Sequence, residues 1–212
     1  RKETVAVTRS IPVHRLAQSA DYADQYDPHV WFDVDLWTYA VKEITQTFIK
    51  YDPDNRVEYE ARSKSYLAKL TTLSQRIKTQ ISEIPKSQRV LITAHDAFGY
   101  FGRAYGFKVM GLQGVSTVSE AGTKDVQKLA QYIADHKIKA VFVESSIPKR
   151  TIEAVQQAVH AKGWSVVIGG ELFSDAMGHA GTPEGTYIGM VDHNVKTIVS
   201  GLVLGKDLQV NH

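Results

Sequence analysis

Three side chains that can bind a divalent metal stand at points where ordered segments are predicted to end. His29 follows the turn at Asp27-Pro28, His95 closes an apolar run over residues 90–94, and Asp175 comes shortly after an apolar run over residues 165–168. Functional residues of open α/β sheets collect at the carboxyl ends of the strands, and imidazole and carboxylate groups suit a divalent first-row metal. A histidine beside aromatic residues is, however, more often a packed core residue, so residue types alone leave both interpretations open.

Other polar patterns are weaker candidates for a functional site. Asp175 and His179 have the spacing of a pair on one helical turn, but Gly178 and the Thr-Pro that follows favour a loop. The glycines at positions 111 and 114 lack the G-x-G-x-x-G pattern of dinucleotide sites. No serine stands in the G-x-S-x-G elbow of hydrolases.

A mononuclear metal hydrolase is the alternative function that the three residues leave open. Two histidines and one aspartate would leave a coordination position for a water nucleophile, and Glu120 or Glu171 could act as the base. Against this alternative, the sequence contains no H-E-x-x-H motif or a similar one.

Composition excludes several further classes. The 212 residues include 25 Lys+Arg and 23 Asp+Glu, and the resulting net charge of +2 argues against a nucleic-acid binder. Cysteine is absent, which rules out disulfides, thiolate metal ligands and a cysteine nucleophile. No run reaches the roughly 18 apolar residues of a membrane span. With 43% hydrophobic residues, the chain can form one large domain or two small ones.

Residues 86–212 alternate between short apolar runs and helical patterns. The runs 90–94, 109–112, 140–144 and 165–168 are typical of buried parallel strands, and the segments that follow them have apolar residues at helical spacing. Four successive β-α units predict an α/β lobe with a four-stranded, parallel, doubly wound sheet. Asp96 is expected to cap the helix after the first strand, and Thr182-Pro183 to begin the last helix.

The chain before residue 86 divides into an irregular segment and one long helix. The first thirty residues are rich in turns and irregular, with a predicted strand over residues 5–8, and a helix capped by Asp35 follows them. That helix has an apolar stripe formed by Trp37, Ala40, Val41, Ile44 and Phe48. Residues 53–85 form the long helix, because no proline or glycine interrupts a near-heptad apolar pattern from residue 54 to about 84. Such a helix would be about 42 Å long, which is longer than a small domain is wide. We therefore expect it to join two lobes, residues 1–52 and 86–212.

Five motifs give the chain a resemblance to a known family. They are D-P-H-V-W-F-D at 27–33, T-A-H-D-A-F-G-Y-F at 93–101, G-L-Q-G-V-S at 111–116, E-S-S-I-P at 144–148 and G-E-L-F-S-D at 170–175. In these motifs the chain resembles the zinc/manganese solute-binding proteins of ABC importers, the TroA-like class. The resemblance implies two lobes joined by one rigid helix, with the ion in the cleft between them. His29, His95 and Asp175 would be the second, third and fourth metal ligands in chain order.

The resemblance also implies a function and a location. The protein would capture Zn²⁺ or Mn²⁺ in the periplasm or at the outer face of the cytoplasmic membrane, with or without a lipid anchor, and deliver it to a cognate ABC permease. It would catalyse no reaction and bind no nucleic acid, and a role as a surface adhesin is compatible with it. The nitrogen donor of His95 favours zinc over manganese. Residues 14–26 lack the His-rich acidic loop of zinc-dedicated relatives, so the sequence indicates zinc or manganese rather than one metal.

The chain departs from the family pattern at its start. The family's first ligand is a histidine of the N-terminal lobe, and His14 does not stand in a comparable motif. The chain therefore resembles a truncated form in which the N-terminal lobe is incomplete. We expect three ligands to leave the metal weakly bound or absent. We also expect the remaining strands of that lobe to expose edges through which the protein could self-associate.

Overall fold

A computed structural model describes residues 4–19, 24–115 and 121–204 of the chain. Its helices are α1 (Val34–Tyr51), α2 (Arg56–Ser82), α3 (Gly99–Tyr105), α4 (Thr123–Asp135), α5 (Arg150–His160) and α6 (Tyr187–Leu204). Its strands are β1 (Val90–His95), β2 (Lys108–Gln113), β3 (Ala140–Glu144) and β4 (Val167–Leu172). Within the described ranges no helix is both long enough and apolar enough to cross a membrane.

The predicted α/β class is confirmed, with a difference in how the strands pair. β1 pairs with β2 and β3 pairs with β4, each pair parallel, and β1 lies beside β3. The described strands therefore lie in the order β2-β1-β3-β4, but their backbone hydrogen bonds form two two-stranded sheets rather than one of four strands. At the carboxyl end of β1, the backbone N–H of His95 donates to the side chain of Glu144 on β3. A side chain there replaces a strand-to-strand backbone bond.

Helices cover both faces of these strands. Successive residues of a strand point to opposite faces, and the core divides accordingly: Leu91 and Phe142 lie with α2, α3 and α6, whereas Ile92 and Val141 lie with α4 and α5. Both faces are buried, which explains why these strands have continuous apolar sequences. The arrangement is the doubly wound one that the alternation of strands and helices predicted.

The last βα unit differs from its prediction in position. β4 runs from Val167 to Leu172 instead of over residues 165–168, so Gly169 and Gly170, which follow the predicted strand, lie within the observed one. Thr182 caps the short 3-10 helix Pro183–Gly185 by accepting a hydrogen bond from the Gly185 N–H, and α6 begins only at Tyr187. The predicted start of the last helix at Thr182-Pro183 was therefore wrong by one short turn.

The segment before α1 contains turns rather than the predicted strand. Residues 4–6 have no regular structure and residues 7–10 form a turn, so the strand predicted over residues 5–8 was wrong. The described part of this segment has two short 3-10 helices, Val13–Arg15 and Val30–Phe32, and an isolated antiparallel bridge between Gln18 and Tyr26. The strand edges expected to promote self-association are absent from residues 4–19 and 24–52. Self-association itself stays a prediction.

Helix α2 is the long helix that the sequence predicted. Its 27 residues span about 40 Å, and it contacts both α1 and α6. Its buried residues, Leu70, Leu73, Ser74, Ile77 and Ile81, all lie in its second half, where Arg76 also forms an ion pair with Asp192 of α6 at 2.6 Å. The division of the chain into residues 1–52, 53–85 and 86–212 stays a prediction.

Helix α1 starts at a different cap from the predicted one. The Asp33 carboxylate accepts hydrogen bonds from the backbone N–H groups of Asp35 and Leu36, at 2.9 and 3.2 Å, so Asp33 is the cap and Asp35 lies in the first turn. The predicted apolar stripe is only partly covered: Ala40 is buried, whereas Phe48 is 52% exposed. Helix α2 packs along one side of α1 and leaves the far end of the stripe open.

Replacing Asp33 by alanine is expected to lower the free energy of unfolding by about 1 kcal/mol, because two backbone donors at the start of α1 lose their acceptor. Asp35→Ala, two positions away, should cost less, since Asp35 caps nothing. Urea denaturation followed by circular dichroism would compare the two variants. If Asp35→Ala lowered the free energy of unfolding more than Asp33→Ala does, the assignment of Asp33 as the cap would be contradicted.

Candidate metal centre

His29 is held by the turn that precedes α1. It stands before the 3-10 helix Val30–Phe32 and is only 3% exposed. The Asp27 Oδ1 atom accepts a hydrogen bond from the His29 backbone N–H at 2.9 Å and lies 2.7 Å from the ring Nδ1. Tyr100 of α3 donates its hydroxyl proton to the Asp27 carbonyl oxygen at 3.0 Å. The turn that carries His29 is thereby tied to the helix that follows β1.

His95 is the last residue of β1 and is completely buried. The Oε1 atom of Glu144, the last residue of β3, accepts a hydrogen bond from the His95 backbone N–H at 2.8 Å. Its Oε2 atom lies 2.6 Å from the ring Nδ1, a distance at which the two groups form an ion pair although the angle is not that of a hydrogen bond. Glu144 is 1% exposed, so this contact is shielded from water. Asp96 does not cap the next helix as predicted, since Phe98 holds the position before α3.

Asp175 lies in the loop after β4 and reaches both imidazoles. Its Oδ1 atom is 3.3 Å from His29 Nε2 and its Oδ2 atom is 3.4 Å from His95 Nε2. The preceding residue holds the loop in place, because the indole N–H of Trp31 donates to the Ser174 carbonyl oxygen and the Ser174 hydroxyl bonds to that of Ser146. The Asp175 side chain is 39% exposed, so the site opens to solvent on this side.

The three residues selected from the sequence therefore meet at one point. One potential ligand atom from each of His29, His95 and Asp175 lies within 4.8 Å of the others. The Nε2 atom of His95 is buried without a hydrogen-bond partner, a costly arrangement unless another group satisfies it. Two imidazole nitrogens and one carboxylate oxygen form a donor set that a divalent first-row metal can occupy, with room for a further ligand.

Electrostatic coupling changes the protonation of the site. Burial lowers the pKa of His95, but Asp175 and Glu144 outweigh it and raise the pKa to about 9. Burial also opposes protonation of His29, yet Asp175 and Asp27 leave its pKa raised. The imidazoles of His29 and His95, 3.3 and 3.4 Å from the Asp175 carboxylate, hold the pKa of Asp175 well below its usual range.

The remaining candidates that the structure describes lie outside this cluster. His179 is not part of the cluster of potential ligands among the described residues. Glu171, considered as a base, is paired with Lys149 at 3.2 Å, and Glu120 lies outside the described residues.

Sequence analysis assigned no role to Glu144. The signal was available, because Glu144 is a charged residue that ends an apolar run, and it lies at the carboxyl edge of the strands just as His95 does.

Known proteins are similar to this chain in sequence and in fold. Residues 1–201 match the family model described as ZnuA, zinc-uptake complex component A, periplasmic. The chain is 52% identical over 198 residues to the zinc-binding protein TroA of Treponema pallidum, covering 93% of this chain and 64% of that protein. It is 47% identical over 202 residues to the manganese-binding lipoprotein MntA of Bacillus subtilis, covering 95% of this chain and 66% of that one. The solved structure of the periplasmic zinc-binding protein TroA of T. pallidum superimposes with a TM-score of 0.90, over 93% of this chain and 71% of that chain.

Proposed function

The chain belongs to the family of the periplasmic zinc-uptake complex component A, and from that premise we propose that it is the solute-binding component of an ABC importer for a divalent transition metal. In this proposal the protein captures zinc or manganese on the outer side of the cytoplasmic membrane and delivers the ion to a permease. The chain spans 64% of the length of TroA and 66% of that of MntA. Cargo, delivery and permease partner are therefore all part of the proposal.

The observation that carries the proposal is the convergence of His29, His95 and Asp175 on a common point. We propose these three residues as the metal ligands. The two histidines are buried and Asp175 is partly exposed, so an ion would enter past the carboxylate and be held by nitrogen atoms inside. This donor set binds zinc more tightly than manganese according to the Irving–Williams order. Relatives are nevertheless named for zinc, for manganese and for iron. The metal that the protein carries therefore depends on which ions are available as well as on their affinity for the site.

Isothermal titration of the metal-free protein with zinc tests the proposal. We expect one-to-one binding, with a lower affinity than that of T. pallidum TroA measured in parallel. If TroA holds its ion with one protein ligand more, as the family pattern implies, each ligand of a four-ligand zinc site contributes about 3 kcal/mol. Three ligands should then bind about 100-fold more weakly. Equal affinities would contradict the weakened site, and an absence of saturable binding would contradict the metal proposal itself.

The family relationship does not support the hydrolase alternative. Of the two residues that could act as the base, Glu171 is paired with Lys149 and Glu120 lies outside the described residues. Incubating the zinc-loaded protein with ester and phosphate substrates should release no more product than zinc in buffer does. Turnover that His95→Ala abolishes would restore the hydrolase interpretation.

Zinc binding is expected to release protons at neutral pH. The pKa of His95 is raised to about 9 in the metal-free protein, so at pH 7.5 its imidazole must lose a proton before Nε2 can bind the ion. Zinc affinity should therefore fall as the pH drops below 9, by about tenfold per pH unit for each proton displaced.

Titration calorimetry in buffers of different ionisation enthalpy directly measures how many protons are released for each zinc ion bound. We expect about one proton or more per zinc at pH 7.5, and fewer at pH 10. Proton release that is zero at pH 7.5 would show that the imidazoles are already neutral without the metal.

A further inference from the structure

Two carboxylates from unrelated parts of the chain hold the two imidazoles of the metal centre in the same way. Asp27 accepts the backbone N–H of His29 at 2.9 Å and lies 2.7 Å from its Nδ1 atom. Glu144 accepts the backbone N–H of His95 at 2.8 Å and lies 2.6 Å from its Nδ1 atom. In both cases the carboxylate contacts the main chain and the ring of the same histidine. Both Nε2 atoms are then left facing Asp175.

We propose that Asp27 and Glu144 are positioning residues, which keep the proton of each imidazole on Nδ1 and the electron pair of Nε2 directed at the ion. The inference rests on the proposed function, since it assigns roles around the proposed ligands His29 and His95. An ionised carboxylate only accepts hydrogen bonds. At 2.6–2.7 Å, an electron pair on Nδ1 would be repelled by the carboxylate oxygen, which favours a proton on Nδ1 of both rings, although at His95 the angle is not that of a hydrogen bond. A neutral imidazole with its proton there has Nε2 free for a metal.

The surroundings prevent either ring from turning away. Asp27 is 6% and Glu144 is 1% exposed, and among the described residues the ion-pair partner of each carboxylate is its own histidine. A ring flip would take Nδ1 away from each carboxylate and leave it with the backbone N–H of the same histidine, so a buried charge would be less well satisfied. The two contacts differ in range, because Asp27 is two residues from His29, whereas Glu144 joins β3 to β1 and so also fixes where His95 stands.

The amide variants Asp27→Asn and Glu144→Gln separate shape from chemistry. Each keeps the size of the side chain, and the amide oxygen can still accept the backbone N–H. The amide NH₂ group then faces Nδ1 and favours the tautomer with its proton on Nε2. In that tautomer Nε2 has no free electron pair with which to bind the ion. We expect each variant to lower zinc affinity 10- to 100-fold, measured by competition with a chelating dye at fixed pH. Glu171→Gln makes the same change at an exposed residue of β4 and should stay within about twofold of the parent chain.

A direct measurement of the tautomer keeps the proposal testable even if a variant does not fold. Long-range ¹H–¹⁵N spectra of the metal-free parent protein at pH 10, where the imidazoles are neutral, should show a proton on Nδ1 and none on Nε2 for both His29 and His95. A purely structural role for the two carboxylates would not require this pattern. A histidine that binds zinc through Nδ1, or amide variants that bind zinc as tightly as the parent, would overturn the proposal.

Asp175→Asn, measured in the same competition assay, distinguishes a failure of this inference from a failure of the proposed function. If Asp175→Asn binds zinc like the parent, the ligand set is wrong and the proposed function fails with it. If Asp175→Asn loses binding while Asp27→Asn and Glu144→Gln do not, the ligand set stands and only the positioning role is refuted.

Discussion

Zinc affinity is expected to fall about 100-fold or more when Asp175 is replaced by asparagine. The substitution removes the negative charge of the proposed carboxylate ligand and leaves a weakly donating amide oxygen, and one ligand of a zinc site is worth about 3 kcal/mol. The substitution should change the free energy of unfolding little, because the Asp175 side chain is 39% exposed and lies in a loop. Competition with a chelating dye, or calorimetry at pH 7.5, would measure the change.

Asp54→Asn provides a matched control for this substitution. Asp54 is exposed in the short 3-10 helix Pro53–Asn55, which is not part of the metal centre, and the same exchange of carboxylate for amide there should leave zinc affinity unchanged within about twofold. The proposed ligand set would be refuted if Asp175→Asn, like Asp54→Asn, bound zinc as tightly as the parent protein. Equal losses would point to a general effect of charge rather than to coordination.

The largest effect on stability is expected at Phe142, in the middle of β3. Its side chain is completely buried, and two glycines make room for it: a Cβ atom at Gly169 or Gly201 would lie 2.7 or 2.8 Å from the ring atom Cε1. These neighbours have no side chains with which to fill a void. Phe142→Ala should therefore leave a cavity and lower the free energy of unfolding by about 3–5 kcal/mol, measured by urea denaturation.

Phe48→Ala is the matched control for the core substitution. The Phe48 ring, on α1, is 52% exposed and makes a tilted ring contact with Tyr59 at 5.4 Å between centroids. Removing it should cost about 1 kcal/mol or less, since little buried area is lost. Comparable losses for Phe48→Ala and Phe142→Ala would mean that the end of α1 is covered in solution.

Much of the fold could be predicted because local patterns reflected burial directly. The apolar runs that became β1 and β3 are buried on both faces, so they are continuous in sequence. α2 lacks proline and glycine, so its length was readable. The strand β4 was placed too early, because Gly169 and Gly170 are typical of loops. Their place in a strand depends on the close approach of Phe142 to Gly169 and of Thr197 to Gly170, which local sequence cannot reveal.

By itself the sequence determined the chemistry available to this protein: two imidazoles and a carboxylate at the ends of ordered segments, and no thiolates. Its alternation of strands and helices also predicted that the carboxyl ends of the strands meet at one edge of the sheet. Only the tertiary structure decided which atoms face each other. Glu144 is 49 residues from His95, and its contact exists because β3 lies beside β1. The physical reason is that hydrophobic burial, which patterns the sequence, is non-directional, whereas the orientation of an imidazole depends on hydrogen bonds between residues that only the folded chain brings together.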